Sequence, residues 1–366
     1  MSENGSKRPV DYNIVVIRGD GIGPELVESA LSVLEAIQTR LETFNLSIEY
    51  HEAGAGLYEA EGINVRPETI QAALSANATM KGPAGLPWVR NLRDGTEAGS
   101  VAGTLRPALD TYANVRPIRL LPNVPSPLRA NPGEIDYLVI RENTEGIYAS
   151  RGRSVGNDRA VTDTMLMTRV GVERIVRYAF EQARIRNGAP ADGIKRVTCV
   201  DKSNVLGTFA FFRRIFDEIG ESYPDIQRQY LYADAATQAM VMHPQQFDVL
   251  VMENLLGDIL SDLGGGTIGG LGFCPSSNVG DFHAFFEPIH GSAPDIAGKD
   301  LANPISQVLT VGMLLEHLGE RVAAKLVRDS VWSALENNQL QMRTNGQPIG
   351  GTRAATQALV NAVQSI

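Results

Sequence analysis

Cysteine is scarce in this chain, because its 366 residues include only Cys199 and Cys274. Both lie in apolar stretches, and their spacing matches no metal-binding pattern. This usage excludes a cysteine-based metal site and predicts two structural thiols in a reducing compartment. We therefore expect a cytoplasmic protein.

Long apolar runs and an excess of positive charge are also lacking. No apolar run reaches the roughly 18 residues that a membrane-spanning helix needs. Residues 1–11 are polar and lack the apolar centre of a secretory signal. The net charge of −9 argues against a nucleic-acid partner, and an anionic substrate would need local arginines to overcome that field. We expect no membrane span, no signal peptide and no nucleic-acid binding.

The composition that remains is typical of a globular protein. Hydrophobic residues make up 43% and charged residues 20%, and the length predicts two domains. Short apolar runs alternate with amphipathic stretches, a pattern that predicts an α/β fold. Strands are predicted at 13–18, 113–120, 136–141, 196–201, 229–233 and 247–252, and helices at 24–40, 99–112, 169–186, 208–221, 304–318, 319–336 and 351–364.

Two aspartates follow the last of these strands. Residues 254–257 read as a strand-to-helix turn, after which Asp258 and Asp262 lie four residues apart. On a helix this spacing places both carboxylates on one face, about 5–6 Å apart at Cβ. Such a pair repels unless a cation lies between its members, and Mg²⁺ or Mn²⁺ suits oxygen ligands. The alternative is that both aspartates lie in solvent at the start of a helix, where the helix dipole favours acidic side chains.

Three arginines lie near the ends of predicted elements, at Arg106, Arg116 and Arg141. Guanidinium groups bind carboxylates bidentately, so the set predicts an anion clamp, although a solvated surface would also carry arginines. Lys202 stands at the carboxyl end of a predicted strand, a favourable position for a site in an α/β sheet.

Several glycine-rich or polar segments are predicted as loops. Residues 19–25 (GDGIGPE) resemble a phosphate-binding loop, but Pro24 occupies the third glycine position of G-x-G-x-x-G, so an ordinary Rossmann domain is only an alternative. Residues 264–270 predict a flexible crossing suited to a hinge or to close backbone approach. Residues 148–164 predict an extended arm, and 285–298 predict an ordered ligand loop.

Six segments, taken in order, resemble the β-decarboxylating dehydrogenase family, which includes isocitrate, homoisocitrate, isopropylmalate and tartrate/D-malate dehydrogenases. They are residues 19–25, 105–117, 141–148, 201–206, 254–263 and 287–304. The resemblance implies an isopropylmalate dehydrogenase-like two-domain fold, not a Rossmann fold, with an arm and helices forming a dimer interface. It implies a large cofactor-binding domain at 1–111 plus 269–366 and a smaller substrate and dimerisation domain at 112–268.

The resemblance also implies a role for each matching residue. Substrate binding falls to Arg106, Arg116 and Arg141, and similarity to the isocitrate branch adds Ser100 and Lys81. Tyr148 and Lys202 transfer protons, and Asp258 and Asp262 bind the metal. Asp234 and Lys202 would come from the second subunit of a homodimer with shared sites. The cofactor residues implied are Asn204, His290, Gly291, Asp295, Ile296 and Asn303.

The implied reaction is metal-dependent oxidative decarboxylation of a (2R)-hydroxy acid with a malate core. Asp295 and Ile296 favour NAD, because a carboxylate accepts hydrogen bonds from ribose and repels a 2′-phosphate. Small residues at 99, 102 and 103 leave room for a C3 substituent, which favours isocitrate or homoisocitrate. The alternatives are 3-isopropylmalate and D-malate or tartrate. From other classes, a non-catalytic regulatory subunit and a generic nucleotide-binding module are alternatives, and an oligomer larger than a dimer is also open.

Overall fold

The fold is an α/β arrangement, as the alternating pattern predicts. A computed structural model describes residues 9–92 and 94–366, so part of the segment expected to lack a signal peptide lies outside the described residues. The strands are β1 (Val10–Ile17), β2 (Phe44–His51), β3 (Ala78–Lys81), β4 (Ala113–Arg119), β5 (Asp136–Glu142), β6 (Val155–Asn157), β7 (Ala160–Thr162), β8 (Arg196–Asp201), β9 (Gln227–Tyr232), β10 (Val249–Met252), β11 (Pro275–Val279) and β12 (Ala284–Pro288).

The predicted helices are all present, with shifts at several ends, and three further helices among the described residues, at 55–61, 67–75 and 233–242, were not predicted. The helices are α1 (Gly23–Leu41), α2 (Ala55–Glu61), α3 (Pro67–Ser75), α4 (Val101–Ala108), α5 (Arg169–Ile185), α6 (Gly207–Gly220), α7 (Ala233–Met242), α8 (Asn254–Thr267), α9 (Ile305–His317), α10 (Arg321–Glu336) and α11 (Gly351–Ser365). In the part of the chain that the structure describes, no helix is long and apolar enough to cross a membrane.

One ten-stranded sheet organises the described residues, in the order β2-β1-β3-β12-β11-β4-β5-β10-β8-β9. The pairs β12–β11, β11–β4 and β4–β5 are antiparallel, whereas the strands on both flanks pair in parallel. The first five strands in this order come from 1–111 and 269–366, and the last five from 112–268. The predicted domain boundary thus coincides with the β11–β4 pair, but the division into domains stays a prediction.

Helices cover both faces of the sheet near β10, which explains why this strand is apolar throughout. Val249 and Val251 pack in one core cluster with side chains of α5 and α6. Leu250 and Met252 belong to the cluster on the other face, together with Leu260 of α8. Alternate residues of a strand point to opposite faces of the sheet. Polar side chains on neighbouring strands that share a face with Leu250 and Met252 therefore point toward α8.

The prediction of a turn at 254–257 is wrong, because α8 begins at Asn254. Glu253 makes the early start possible. Its carboxylate accepts hydrogen bonds from the backbone N–H groups of Leu255 at 3.0 Å and Leu256 at 3.2 Å. These are donors that a helix start otherwise leaves without partners. Asp258 and Asp262 therefore lie within the helix, and their spacing along one face is as predicted.

The flexible crossing predicted at 264–270 is also wrong, since Gly264 to Thr267 form the last turn of α8. The alternative prediction for these glycines, a close approach of the backbone to neighbouring residues, is confirmed. A Cβ at Gly264 would lie 2.8 Å from the Tyr137 hydroxyl and 3.0 Å from Ile118, so the helix packs closely on the sheet. Positive φ values occur after the helix, at Gly269 and Gly270.

Three other predicted segments differ in extent or content. The helix predicted at 99–112 spans only Val101–Ala108, because Ser100 caps its start and Asp110 takes a positive φ of 45°. The loop predicted from residue 285 begins as strand β12, in which Phe285 and Phe286 are buried. The predicted arm contains a short 3-10 helix at 147–150 and the exposed hairpin β6–β7. Its role in a dimer interface stays a prediction.

Candidate active site

The three predicted clamp arginines converge on the face of the sheet that α8 covers. Arg116 lies on β4 and Arg141 on β5, and both are buried. Arg116 Nη1 lies 3.3 Å from the Asp258 carboxylate, which also forms an ion pair with Arg141. Arg106, in the last turn of α4, lies 3.5 Å from Glu287. Spatial convergence of the three is therefore confirmed, whereas substrate binding by them stays a prediction.

Burial lowers the pKa of the arginines in this cluster but does not remove their positive charge. It lowers the pKa of Arg106 to about 9 and that of Arg116 to about 10, and the neighbouring charge of Arg141 acts in the same direction. Both guanidinium groups stay protonated at neutral pH. Concentrated cations in a buried setting attract an anionic ligand more strongly than solvated arginines do.

Asp258 and Asp262 have different electrostatic surroundings although they share a helix face. Burial would raise the pKa of Asp258, but the charges of Arg141 and Arg116 outweigh it and lower the pKa overall. Burial raises the pKa of Asp262, and the charge of Arg116, 3.7 Å away, only partly opposes this. Two carboxylate oxygens on one face fit a hard divalent cation, whose charge would also favour the ionised form of Asp262.

Tyr148 joins this cluster directly. Its hydroxyl donates a hydrogen bond of 2.9 Å to Oδ2 of Asp258. Burial and the charge of Asp258 raise the pKa of Tyr148 above its ordinary value of 10.0. The phenol therefore keeps its proton at neutral pH and can donate it beside the arginine cluster.

An asparagine that the sequence analysis missed connects the clamp. The fully buried Asn278 of β11 accepts hydrogen bonds at Oδ1 and donates one of 3.0 Å from Nδ2 to Glu287. The donors to its Oδ1 are Asn143 at 2.8 Å, Asn114 at 3.1 Å and Arg106 at 3.3 Å. Asn114 in turn accepts a hydrogen bond from Nε of Arg116. One amide thus ties two clamp arginines together.

Glu287 supplies a buried counter-charge on the other side of Arg106. Its carboxylate lies 2.8 Å from Nζ of Lys81, which also donates to the Gly82 carbonyl at 2.8 Å. Burial would raise the pKa of Glu287, but the charges of Lys81 and Arg106 lower it to about 2. Lys81 therefore holds Glu287 in place, and direct contact between Lys81 and a substrate stays a prediction.

Asn254 orients Arg141 from the first position of α8. Its Oδ1 accepts from Nε of Arg141 at 3.0 Å and from Nη2 at 2.8 Å, and its Nδ2 donates to the Glu145 carbonyl at 2.9 Å. This asparagine links the two segments at 141–148 and 254–263. Its sequence signals were a position two residues after an apolar strand and its place at the start of segment 254–263, which carries the family resemblance.

Lys202 and Asp234 form a second, separate cluster, in which Nζ lies 2.9 Å from the carboxylate. Lys202 follows β8, and Asp234 lies in the first turn of α7. Across 9–92 and 94–366, the structure brings together no group of three metal-binding side chains. Asp234 therefore does not complete a site with Asp258 and Asp262 inside one chain, and its contribution from a second subunit stays a prediction.

The predicted cofactor residues lie mostly on one loop after β12. His290, Gly291, Asp295 and Ile296 belong to it, with Asp295 exposed. The buried Nε2 of His290 has no hydrogen-bond partner among the described residues, while Nδ1 lies 3.0 Å from the Gly291 carbonyl. Burial lowers the pKa of His290, so its imidazole is neutral at pH 7. An unpartnered nitrogen at a ligand loop fits a nucleotide that would hydrogen-bond to it.

Two other predicted cofactor residues differ from this loop in their surroundings. Asn303 is buried, accepts a 3.0 Å hydrogen bond from the N–H of Ile305 at the start of α9, and donates to the Gly346 carbonyl at 3.1 Å. Its side chain therefore has a structural task. Asn204 lies exposed, close in sequence to Lys202. Contact of either residue with a cofactor stays a prediction.

The glycine loop at 19–25 has a structural explanation. The Asp20 carboxylate accepts three backbone hydrogen bonds, from Gly85 at 2.7 Å, Ala55 at 2.8 Å and Gly56 at 3.0 Å. A Cβ at Gly21 would lie 2.1 Å from the Ser292 carbonyl oxygen, so only glycine permits this approach. The loop ties neighbouring segments together, including the one that follows His290, and this accounts for its phosphate-loop appearance.

Comparisons with known proteins agree with these features. The profile described as isocitrate/isopropylmalate dehydrogenase matches residues 13–363. A 3-isopropylmalate/3-methylmalate dehydrogenase of Methanocaldococcus jannaschii is 43% identical over 89% of this chain and 90% of its own length. An isocitrate dehydrogenase [NADP] of Thermus thermophilus is 42% identical over 93% of this chain and 65% of its own length.

A solved structure extends the agreement to the fold. Isocitrate dehydrogenase from Methylococcus capsulatus superposes with a TM-score of 0.85 at 37% identity, covering 97% of this chain and 100% of the other. The chain belongs to the isocitrate/isopropylmalate dehydrogenase family. Its members are NAD(P)- and divalent-metal-dependent dehydrogenases that oxidise and decarboxylate hydroxy acids, so the protein is an oxidoreductase acting on CH–OH groups.

Proposed function

We propose that this enzyme uses NAD to oxidise and decarboxylate a (2R)-hydroxy acid with a malate core, with isocitrate or homoisocitrate as the favoured substrate. The observation that carries the proposal is the convergence of Arg106, Arg116 and Arg141 around a buried site bordered by Asp258. The buried Arg116 and Arg141 and the partly buried Arg106 match a substrate that carries two or three carboxylates.

The metal fits the donor chemistry of the chain. Asp258 and Asp262 would hold it from one subunit, and Asp234 of the partner subunit would add a third carboxylate. All three supply oxygen, the ligand type that Mg²⁺ and Mn²⁺ prefer. When bound, the metal would polarise the substrate hydroxyl and NAD would accept a hydride from C2.

The side chains of the protein would orient the substrate and move its protons. Arg116 and Arg141 would bind the malate carboxylates in fixed positions. Nζ of Lys202, from the partner subunit, would accept the proton of the C2 hydroxyl. After CO₂ leaves C3, the Tyr148 hydroxyl would donate a proton to that carbon. Its raised pKa supports this role, because the phenol stays protonated at neutral pH.

NAD is the proposed dinucleotide. The exposed carboxylate of Asp295 can accept from ribose hydroxyls and would repel the 2′-phosphate of NADP. The buried, unpartnered Nε2 of His290 supports a nucleotide in the same loop.

The second candidate substrate is 3-isopropylmalate. Relatives with that name include the Methanocaldococcus jannaschii protein and an enzyme of Leifsonia xyli that is 41% identical over 91% of this chain. D-malate and tartrate remain alternatives because their core has the same two carboxylates. We propose a homodimer with shared sites for all of these substrates.

A substrate panel tests the proposed function. NADH formation should be measured with Mn²⁺ and isocitrate, homoisocitrate, 3-isopropylmalate, D-malate and tartrate, each in NAD and in NADP. We expect the highest kcat/KM with NAD and a tricarboxylate. The absence of NAD reduction with every acid in the panel would contradict the proposal.

A further inference from the structure

A fourth arginine, Arg151, reaches the start of α4 from the segment that carries Tyr148. It directly follows the 3-10 helix at 147–150. Its Nη1 donates a hydrogen bond of 3.0 Å to the Ser100 hydroxyl, which is the N-terminal cap of α4. A Cβ at Gly103 would lie 1.8 Å from the same Nη1. The guanidinium therefore occupies space that exists only because residue 103 lacks a side chain.

The Arg151 guanidinium has no carboxylate partner among the described residues. Within 9–92 and 94–366 it forms no ion pair with a carboxylate, whereas Arg106, Arg116 and Arg141 each do. The start of α4 adds partial positive charge from its free backbone N–H groups. The corner of the site formed by Ser100, Gly103 and Arg151 is therefore positive, and none of the described residues places an anion against Arg151.

The position of this corner relative to Arg106 suits a substrate substituent. Ser100 and Arg106 stand at the two ends of α4, six residues apart, which corresponds to about 9 Å along a helix axis. A malate core held by Arg106 would thus direct a substituent of a few carbon atoms toward Ser100 and Arg151. Arg151 is itself exposed, so an apolar substituent that covered the guanidinium would displace its water without supplying a counter-charge, which is unfavourable.

We infer that Arg151 determines specificity by binding a carboxylate on the C3 substituent, so the natural substrate is a tricarboxylate with an anionic substituent rather than an alkylmalate. This inference rests on the proposed function. It deepens that function by assigning the substituent a charge and a binding residue. Arg151 contacts the substituent and takes no part in proton transfer.

The principal test replaces Arg151 with methionine in the full-length enzyme. With NAD and Mn²⁺, kcat/KM is measured for isocitrate, homoisocitrate, 3-isopropylmalate and D-malate, which lacks a C3 substituent. The ratio of kcat/KM for the tricarboxylate to that for D-malate should fall by about 10- to 100-fold, the range for losing a hydrogen bond to a charged group. The loss should lie mainly in KM, and Arg151→Lys should restore part of it.

A second variant moves the charge without removing it. In Gly103→Ala the new methyl group would displace the guanidinium, which is the flexible end of a side chain, so folding should be spared. The same ratio should fall as it does in Arg151→Met. Arg153→Met is the matched control, because Arg153 is an exposed arginine two residues further along the arm. The control should leave the ratio unchanged.

The possible outcomes distinguish a failure of this inference from a failure of the proposed function. A wild-type enzyme that prefers 3-isopropylmalate over both tricarboxylates would overturn the inference while leaving the reaction type intact. The same holds if Arg151→Met and Arg153→Met change the ratio equally, or if neither changes it. A wild-type enzyme that reduces NAD with none of these acids would overturn the proposed function, and the inference with it.

Discussion

The arginine cluster and the Lys202–Asp234 pair are two contrasting regions of this molecule. In the cluster, the side chains of Arg116 and Arg141 are 5% and 2% exposed, and their hydrogen bonds are taken by asparagines, a serine and Asp258. In the pair, the Lys202 side chain is 32% and the Asp234 side chain 70% exposed. One region is assembled within the chain, and the other presents charges at its surface.

This difference in exposure indicates that the charged residues of the two regions occupy their positions for different reasons. Buried charges persist only where a network satisfies them, since removing one partner typically costs about 3–5 kcal/mol. An exposed ion pair contributes about 0–1 kcal/mol, so stability gives little reason for Lys202 and Asp234 to occupy their positions. A surface that completes the site of a second chain would give such a reason.

Metal removal should have the largest effect. The carboxylates of the cluster and of the pair would be drawn together by one cation, so treatment with EDTA should abolish NADH formation, and added Mg²⁺ or Mn²⁺ should restore it. The rate is followed by NADH absorbance before and after metal is returned. Full activity in metal-free enzyme would contradict the proposed mechanism.

Mixed dimers test whether the two regions serve one site from different chains. Lys202→Met and Asp258→Asn should each leave a nearly inactive homodimer. After the two variants are refolded together at equal ratio, about half the dimers are mixed and contain one intact site. About a quarter of wild-type activity should therefore return.

The control for this experiment is each variant refolded alone, which should stay inactive. Formation of the mixed dimer is verified by mass. If the mixed dimer forms and no activity returns, both groups act within one chain and the shared site is ruled out.

The free energy of unfolding should depend strongly on the network of the arginine cluster and only weakly on the Lys202–Asp234 pair. Asn278→Leu removes one buried hydrogen bond from each of Asn114, Asn143 and Glu287, so the free energy of unfolding should fall by about 3 kcal/mol or more. Asp234→Asn should change it by less than about 1 kcal/mol, although it should abolish activity. Urea denaturation measures both. Equal losses of stability would remove the contrast between a buried network and a surface pair.

Cofactor selection should show the smallest effect. Asp295→Lys combined with Ile296→Tyr should shift the ratio of kcat/KM for NAD and NADP toward NADP, because a cation replaces the carboxylate that repels the 2′-phosphate. Each tenfold change in the ratio corresponds to about 1.4 kcal/mol. An unchanged ratio would indicate that other residues select the dinucleotide.

The helix that bears the two aspartates shows how much of the structure a local sequence pattern predicts. The apolar strand before it and the four-residue spacing of Asp258 and Asp262 were enough to predict both elements and the shared face. The exact start at Asn254 was not, because the cap is a glutamate, which is not among the side chains favoured at that position. Glycines 264–266 suggested flexibility, but all three lie in the helix, where Gly264 packs closely against Tyr137 and Ile118.

The sequence by itself determined the α/β class, most of the long helices, the candidate clamp arginines and the family, because each depends on short-range periodicity or on motifs along the chain. It did not determine strands β11 and β12, the second of which was predicted as a loop. Only the tertiary structure decided which side chains satisfy those arginines. The hydrogen bond from Arg106 to Asn278 joins positions 172 residues apart, and that from Arg141 to Asn254 joins positions 113 apart. Likewise, Arg151 meets Gly103 only because the segment after β5 folds back onto α4. Such contacts arise from the order and register of the strands in the sheet, which no local pattern specifies.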